Sequence, residues 1–170
     1  MVQHPVSDEQ TISISPQEFR RVLGEWPSGV AVITSMAADG PVGMAVNSFT
    51  SVSLDPPLVG FLPARSSSTW PSLRDNKKFC INVLASHQEE ISRVFARKDI
   101  DRFAEVSWSE RPCGPILDEA VAWIECEMYE EQDAGDHTFV LGSVKNIEAV
   151  DSAKPLIFHR GSYTALSDLD

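Results

Sequence analysis

Basic residues are scarce in this 170-residue sequence, with 14 Lys and Arg against 25 Asp and Glu and a formal net charge of −11. Nucleic-acid binding needs a basic footprint, so this balance excludes it. The same charge repels an anionic dinucleotide at long range, so any phosphate must be held by local positive groups. Cysteine is sparser still. The three cysteines, Cys80, Cys113 and Cys126, are odd in number and far apart, which excludes a disulfide framework or a CxxC site. Cys80 and Cys126 sit inside apolar runs, where a buried reduced thiol is expected. No stretch approaches the roughly 18 consecutive apolar residues of a membrane span. Residues 1–15 have neither a basic n-region nor an apolar h-region, so they do not read as a signal peptide. A cytoplasmic protein with no membrane and no nucleic-acid partner is expected.

Chemical signatures are missing too. Walker A, HExxH and GxSxG patterns are absent, and Gly40 and Gly43 do not make a GxGxxG turn. The four histidines, at 4, 87, 137 and 159, share no metal-ligand spacing with the cysteines, so no metal site is expected.

What remains is ordinary globular composition, 42% hydrophobic and 23% charged, in a length that suits one domain. The expected division is a tail over 1–15, a domain over 16–166 and a short tail over 167–170. Ser15-Pro16-Gln17-Glu18 supplies a cap, a first-turn proline and a glutamate three residues on. Phe19, Val22, Leu23 and Trp26 then follow at helical spacing. Residues 30–37 and 42–53 read as strands joined by a turn at Asp39-Gly40. Asp55-Pro56-Pro57 breaks the chain before a strand over 58–62. Residues 69–76 read as a short helix or turn, and 78–84 as a strand. Ser86-His87-Gln88-Glu89 is a second capping-box pattern, opening a helix with the stripe His87, Ile91, Val94 and Phe95. Residues 99–103 are expected to add a helical turn. After a Pro- and Gly-containing loop, 120–130, 137–150 and 155–166 read as three long strands. Short hairpin-linked strands with few helices predict a mainly β, antiparallel barrel with peripheral helices. Without βαβ alternation, a doubly wound sheet is not expected.

Three segments could carry chemistry. Residues 43–53, Gly43-Met44-Ala45-Val46-Asn47-Ser48-Phe49-Thr50-Ser51-Val52-Ser53, mix small, polar and apolar side chains without clean alternation. Such a strand suits either a flat ligand, met through backbone amides and small hydroxyls, or a polar corner of the fold. Arg65-Ser66-Ser67-Ser68-Thr69 follows a strand and combines hydroxyls, amides and a guanidinium, as a phosphate site does; a solvated turn looks the same. Gly135-Asp136-His137-Thr138-Phe139 and Phe158-His159-Arg160-Gly161 read either as site residues or as plain turns.

Together these segments resemble the flavin reductase-like domain family, whose members adopt an FMN-binding split β-barrel of Greek-key antiparallel strands. The resemblance is carried by Phe19-Arg20 through Ser28-Gly29-Val30, by residues 43–58, by Phe79-Cys80-Ile81-Asn82-Val83-Leu84, by Gly135-Asp136-His137-Thr138 and by Arg160-Gly161-Ser162-Tyr163. These follow the family's order and span almost all of 16–166; the Asn47-to-Leu58 run is the most specific. The resemblance implies the short, single-domain branch: homodimers that pass reduced flavin to a separate flavin-dependent monooxygenase acting on aromatic compounds. It implies that Ser28, Met44, Ala45, Val46, Asn47, Ser48, Phe49, Thr50, Ser51 and Val52 line the isoalloxazine. Arg65, Ser66, Ser67, Ser68 and Thr69 would approach the phosphates, and Asn82 the flavin. His137 would stand beside the nicotinamide, and Phe158, His159, Arg160 and Gly161 would close over it. The reaction implied is hydride transfer from nicotinamide C4 to flavin N5, with backbone donors or Arg160 near the N1–C2 edge. The cofactors are FAD or FMN with NADH; NADPH is expected to serve less well. A non-catalytic flavin or haem binder on the same barrel is the alternative, with a pyridoxamine phosphate oxidase-like enzyme a further relative by fold.

Overall fold

A computed structural model describes residues 13–98, 100–151 and 153–167. The expected tails over 1–15 and 167–170 lie almost wholly outside the described residues, as does Asp99; residues 100–103 form bends and turns rather than helix. Helix α1 (Pro16–Leu23) starts where the cap predicts, with Glu18 N–H donating to Ser15 Oγ at 3.1 Å. It ends before Trp26, and its stripe is left open: Phe19, Val22, Leu23 and Trp26 are all exposed. The loop after α1 is tied to the rest through Arg160 N–H, which donates to Gly24 O at 3.0 Å.

The strands are β1 (Ser28–Gly29), β2 (Ala31–Ala37), β3 (Gly40–Val46), β4 (Thr50–Leu54) and β5 (Pro57–Phe61), followed by α2 (Trp70–Asn76), β6 (Lys78–Val83) and α3 (Glu89–Ala96). Then come β7 (Trp108–Arg111), β8 (Gly114–Leu117), β9 (Ala122–Ala134), β10 (His137–Ala149), β11 (Leu156–His159) and β12 (Ser162–Ala165). Seven strands pair antiparallel in the order β3-β2-β6-β9-β10-β5-β4. Its two edges, β3 and β4, are successive in the chain, so the sheet curls into a split barrel of the expected mainly β class. A three-stranded sheet, β1-β11-β12, and the β7–β8 hairpin complete it.

Strand β2 is the spine. Ala31 through Ser35 are buried on both faces, so the run is continuously buried rather than alternating, with Thr34 and Ser35 as its polar members. Ile33 points into the barrel with Val59, Phe61, Phe79, Ile81 and Val140, and α2 adds Trp70 and Leu73. Phe61 meets Trp70 and Phe79 edge to face at 5.7 and 5.4 Å between centroids. Val32 faces a second core of Leu84, Phe95, Phe103, Leu117 and Leu156 beneath α3.

Four elements depart from the sequence expectation. The strand expected over 42–53 breaks at Asn47-Ser48-Phe49, where the chain passes from one sheet edge to the other. The strand expected over 155–166 is the β11–β12 hairpin, turning at Arg160 (φ 50°) and Gly161 (φ 76°). The loop before residue 120 contains the β7–β8 hairpin. The pattern at 86–89 is not a capping box: α3 begins at Glu89, and Gln88 accepts from Ala85 N–H at 2.9 Å and donates to Asp118 O at 2.8 Å. His87 points outward to Glu119 at 3.0 Å instead of joining the stripe. Among the described residues no helix is long and apolar enough to cross a membrane.

Candidate active site

The break between β3 and β4 organises one rim of the barrel. Ladder pairing stops at Val46 and resumes at Thr50, so among the described residues no strand pairs with the amides between them. Ser48 anchors this crossing, its Oγ accepting from Leu62 N–H at 2.9 Å. The loop after Leu62 in turn holds the 135–138 turn. Thr138 N–H donates to Pro63 O at 3.0 Å, Arg65 N–H donates to Asp136 O at 2.9 Å, and Ala64 bridges His137. Ser48, Arg65 and His137, remote in sequence, are thereby fixed to one short loop. His137 is half-exposed, with Nδ1 2.7 Å from Asp136 Oδ1. That hydrogen bond holds the Asp136 carboxyl below its usual pKa.

An apolar cavity of about 220 Å³ opens beside the break, lined by Val30, Ala45, Val46 and Asn47, by Ser92 and Ala96 of α3, and by Phe158 and Tyr163. The Phe158 and Tyr163 rings meet edge to face at 5.3 Å. Tyr163 Oη lies 2.9 Å from Ser92 Oγ, and Arg93 covers its ring at 5.0 Å. Asn47 is exposed at the cavity mouth. Ser28 pairs with Phe158 across β1 and β11, placing it at the back of the same wall. Met44 and Phe49, both half-buried, pack against the barrel core. Thr50, Ser51 and Val52 lie exposed along β4.

The serine turn is partly spoken for. Ser67 Oγ accepts from Thr69 and Trp70 N–H at 3.3 and 3.2 Å, closing the turn before α2. Thr69 Oγ1 accepts from Arg102 Nη1 at 2.6 Å, and the same nitrogen donates to Gly43 O at 2.8 Å. Ser66, Ser68 and Arg65 remain exposed, with Arg65 3.5 Å from Asp133.

Two expected residues fall elsewhere. Asn82 is fully buried; its Nδ2 donates to Val32 O and Thr34 Oγ1 at 3.1 and 3.0 Å, and its Oδ1 accepts from Leu117 N–H at 2.7 Å. Its amide is a core tie with no reach to a ligand. Arg160 stands on the β11–β12 turn, but its Nε and Nη2 hold Glu25 Oε2 at 2.8 and 2.6 Å, which lowers the Glu25 pKa. Its guanidinium is directed to the α1 side rather than to the cavity. Conversely, Arg102 and Ser92 border the site without a local signal, a single cation between Asp101 and Phe103 and a helix serine. Tyr163 belongs to the Arg160-to-Tyr163 motif but is not among the residues expected at the site.

Residues 23–167 match the family model described as flavin reductase like domain, and the chain belongs to that family. It is 48% identical over 153 residues to a flavin reductase of Pseudomonas putida, covering 89% of this chain and 90% of that protein. It is 40% identical over 155 residues to the reductase subunit HsaB of a flavin-dependent monooxygenase from Rhodococcus jostii, covering 91% and 80%. Among solved structures, the NADH:FAD oxidoreductase SgcE6 of Streptomyces globisporus, in complex with NAD and FAD fragments, superposes with a TM-score of 0.86 at 33% identity. That match covers 92% of this chain and 98% of the other.

Proposed function

We propose that residues 16–166 form an NADH-dependent flavin reductase, the reductase component of a two-component monooxygenase. It reduces FMN or FAD and releases the product to a separate oxygenase acting on aromatic compounds; NADPH serves less well. The carrying observation is the rim on which Ser48 and His137 are tied to the same loop over 62–65. The residues beside it fit a flat aromatic ligand. Ala45 offers only a methyl group, Phe158 and Tyr163 give an aromatic wall, and Asn47 to Phe49 offer amides with which no strand pairs among the described residues.

The flavin, when bound, supplies the redox chemistry, accepting at N5 the hydride that leaves nicotinamide C4. The protein's part is alignment, which accounts for about 7 to 11 kcal/mol at the intramolecular limit. The amides of residues 47–49 hold the ring edge and offset its developing negative charge. With Arg160 engaged by Glu25, those backbone donors serve the edge alone. His137, oriented by Asp136, flanks the nicotinamide, and the β11–β12 hairpin covers it. No side chain has to give or take a proton during the hydride step.

The cavity of about 220 Å³ is smaller than the roughly 300–1,000 Å³ of clefts that engulf a ligand. The flavin is held loosely, as a substrate that leaves reduced, in keeping with the short single-domain branch the chain resembles. A homodimer in the cytoplasm is the working assembly: edge strand β4 exposes Val52 and Leu54 beside the Thr50–Ser51 stretch, a surface for a second copy.

Loss of nicotinamide absorbance, followed with NADH or NADPH and with FMN, FAD or no flavin, tests this directly. Turnover that saturates with added flavin is expected. Flavin binding without turnover would leave a binding protein and overturn the enzyme.

A further inference from the structure

On the far side of the Arg160 turn lies a larger cleft, about 750 Å³, walled by α1 and the β11–β12 turn. Its lining includes Arg20, Arg21, Arg160 and a single carboxylate, Glu25. Three arginines around one cleft stand out in a chain with 14 Lys and Arg and a net charge of −11. Arg20 and Arg21 are neighbours on α1, and Arg160, far along the chain, is brought to them by the contact between Arg160 N–H and Gly24 O.

Two of the three are held in place. Arg21 is fixed by Glu18 through Nε and Nη2 at 3.1 and 2.8 Å. Arg160 spends Nε and Nη2 on Glu25. The Arg20 guanidinium makes no hydrogen bond or ion pair among the described residues, while its carbonyl accepts from Gly24 N–H at 2.9 Å. Its charge nevertheless helps to lower the Asp136 pKa, so the cleft lies within electrostatic range of the turn that carries His137. Arg160 and Gly161 line this cleft, while Phe158 of the same hairpin lines the apolar cavity. A ligand that places an uncharged ring by His137 and Phe158 and carries anionic groups some distance away would span both.

We infer that this cleft binds the phosphates of the nicotinamide dinucleotide, with Arg20 as the principal contact; the inference rests on the NAD(P)H-dependent reading above. Guanidinium groups suit phosphate because the planar fork of donors meets two oxygens at once. Local arginines are also what a net-acidic protein needs to hold an anion that its overall field repels. Two phosphates have this chemistry: the pyrophosphate common to both coenzymes and the 2′-phosphate of NADPH alone.

Arg20→Ala is compared with Arg111→Ala, a charge-matched loss on β7, in steady-state assays with each coenzyme at saturating flavin. A rise of about tenfold in KM for both coenzymes, with kcat little changed, assigns the pyrophosphate. A rise for NADPH alone assigns the 2′-phosphate. In parallel, calorimetry measures ADP-ribose and its 2′-phosphorylated form binding to the wild type, Arg20→Glu and Arg111→Ala, a readout independent of turnover. Binding that Arg20→Glu abolishes and Arg111→Ala spares supports the site even if neither coenzyme is oxidised, an outcome that sinks only the reductase reading. Unchanged KM for both coenzymes, or ADP-ribose affinity indifferent to Arg20, overturns the inference.

Discussion

His137 is half-exposed and bonded to its sequence neighbour, so its removal leaves the fold intact while emptying a position on the rim. His137→Ala should raise KM for NADH about tenfold, the scale of one lost polar contact to a ligand, and leave flavin affinity within about twofold. Steady-state kinetics and flavin fluorescence quenching on the same preparation measure both, and unchanged NADH kinetics would remove His137 from the site. Asn82 behaves in the opposite way. Asn82→Ala leaves Leu117 N–H without its partner in the core. It also takes a donor away from Val32 O and from Thr34 Oγ1, which still donates to Pro115 O, so it should destabilise by about 2–4 kcal/mol without changing the flavin affinity of folded protein. Urea unfolding reads the first and a flavin titration the second; weakened flavin binding at unchanged stability would restore Asn82 to the site. The cysteines share that burial. Desolvation raises all three thiols, Cys126 to about 12. A thiol raised on folding leaves stability intact below its unfolded value, about 8.5, and loses it as pH climbs from there toward the folded value. A melting temperature that falls progressively above about pH 9, with no thiol of the native protein reacting rapidly with a disulfide reagent at pH 8, is the expected pair of results. A native thiol that reacts at once would contradict it.

At the scale of elements, β3 is the strand on which the site depends, and its position is set from behind. A Cβ built on Gly43 would sit 2.6 Å from Phe95 Cε1 and 3.1 Å from Ile33 O, so β3 and α3 pack at a distance that admits glycine alone. Gly43→Ala should cost about 1–3 kcal/mol in urea unfolding and weaken flavin binding, since the strand must move away from Phe95 or Phe95 from the cavity wall. Loss of stability with full flavin affinity would show that β3 does not set the site's shape. That dependence is not readable along the chain, because Gly43 and Phe95 meet only after β3 and α3 have packed. The same distinction runs through the other elements. The cap at Ser15 and the strands over 30–37 and 78–84 were readable because each is decided by neighbours in sequence. The turn expected at Asp39-Gly40 falls one residue earlier, at Ala38-Asp39, with Gly40 already paired to Ala37 in β3. Residues 42–53 read as one strand because every residue there tolerates extended backbone; the break appears only when β3 and β4 go to opposite edges of one sheet. The β7–β8 hairpin carries Arg111, Pro112 and Cys113 at its turn and lacks alternation, so its pairing comes from packing on β2 and β6. Asn82 shows the limit for the site: a polar residue closing a strand has the same sequence appearance whether it meets a ligand or ties the core.

For the whole molecule, two fields compete over every anionic ligand. The net charge of −11 repels nicotinamide dinucleotide and flavin phosphates alike. The arginines around the α1 cleft, with Arg65 and Arg102 near the serine turn, attract them at short range. Salt separates the two because they act over different distances. A chain of this length has a radius of gyration of about 15 Å. The Debye length is about 30 Å at 0.01 M salt and about 10 Å at 0.1 M, so the first increase in salt screens the global repulsion and leaves the contacts at the arginines. From about 0.1 M toward 1 M, where the Debye length falls to about 3 Å, the contacts themselves weaken. The expected result is that kcat/KM for NADH rises between 0.01 and about 0.1 M salt and falls beyond it, with kcat nearly flat throughout. Arg20→Ala should keep the rise and flatten the fall, because it removes part of the short-range attraction and none of the repulsion. A steady decline from the lowest salt onward would mean that local attraction governs encounter at every distance. The acidic surface would then have no part in how this reductase meets its coenzyme.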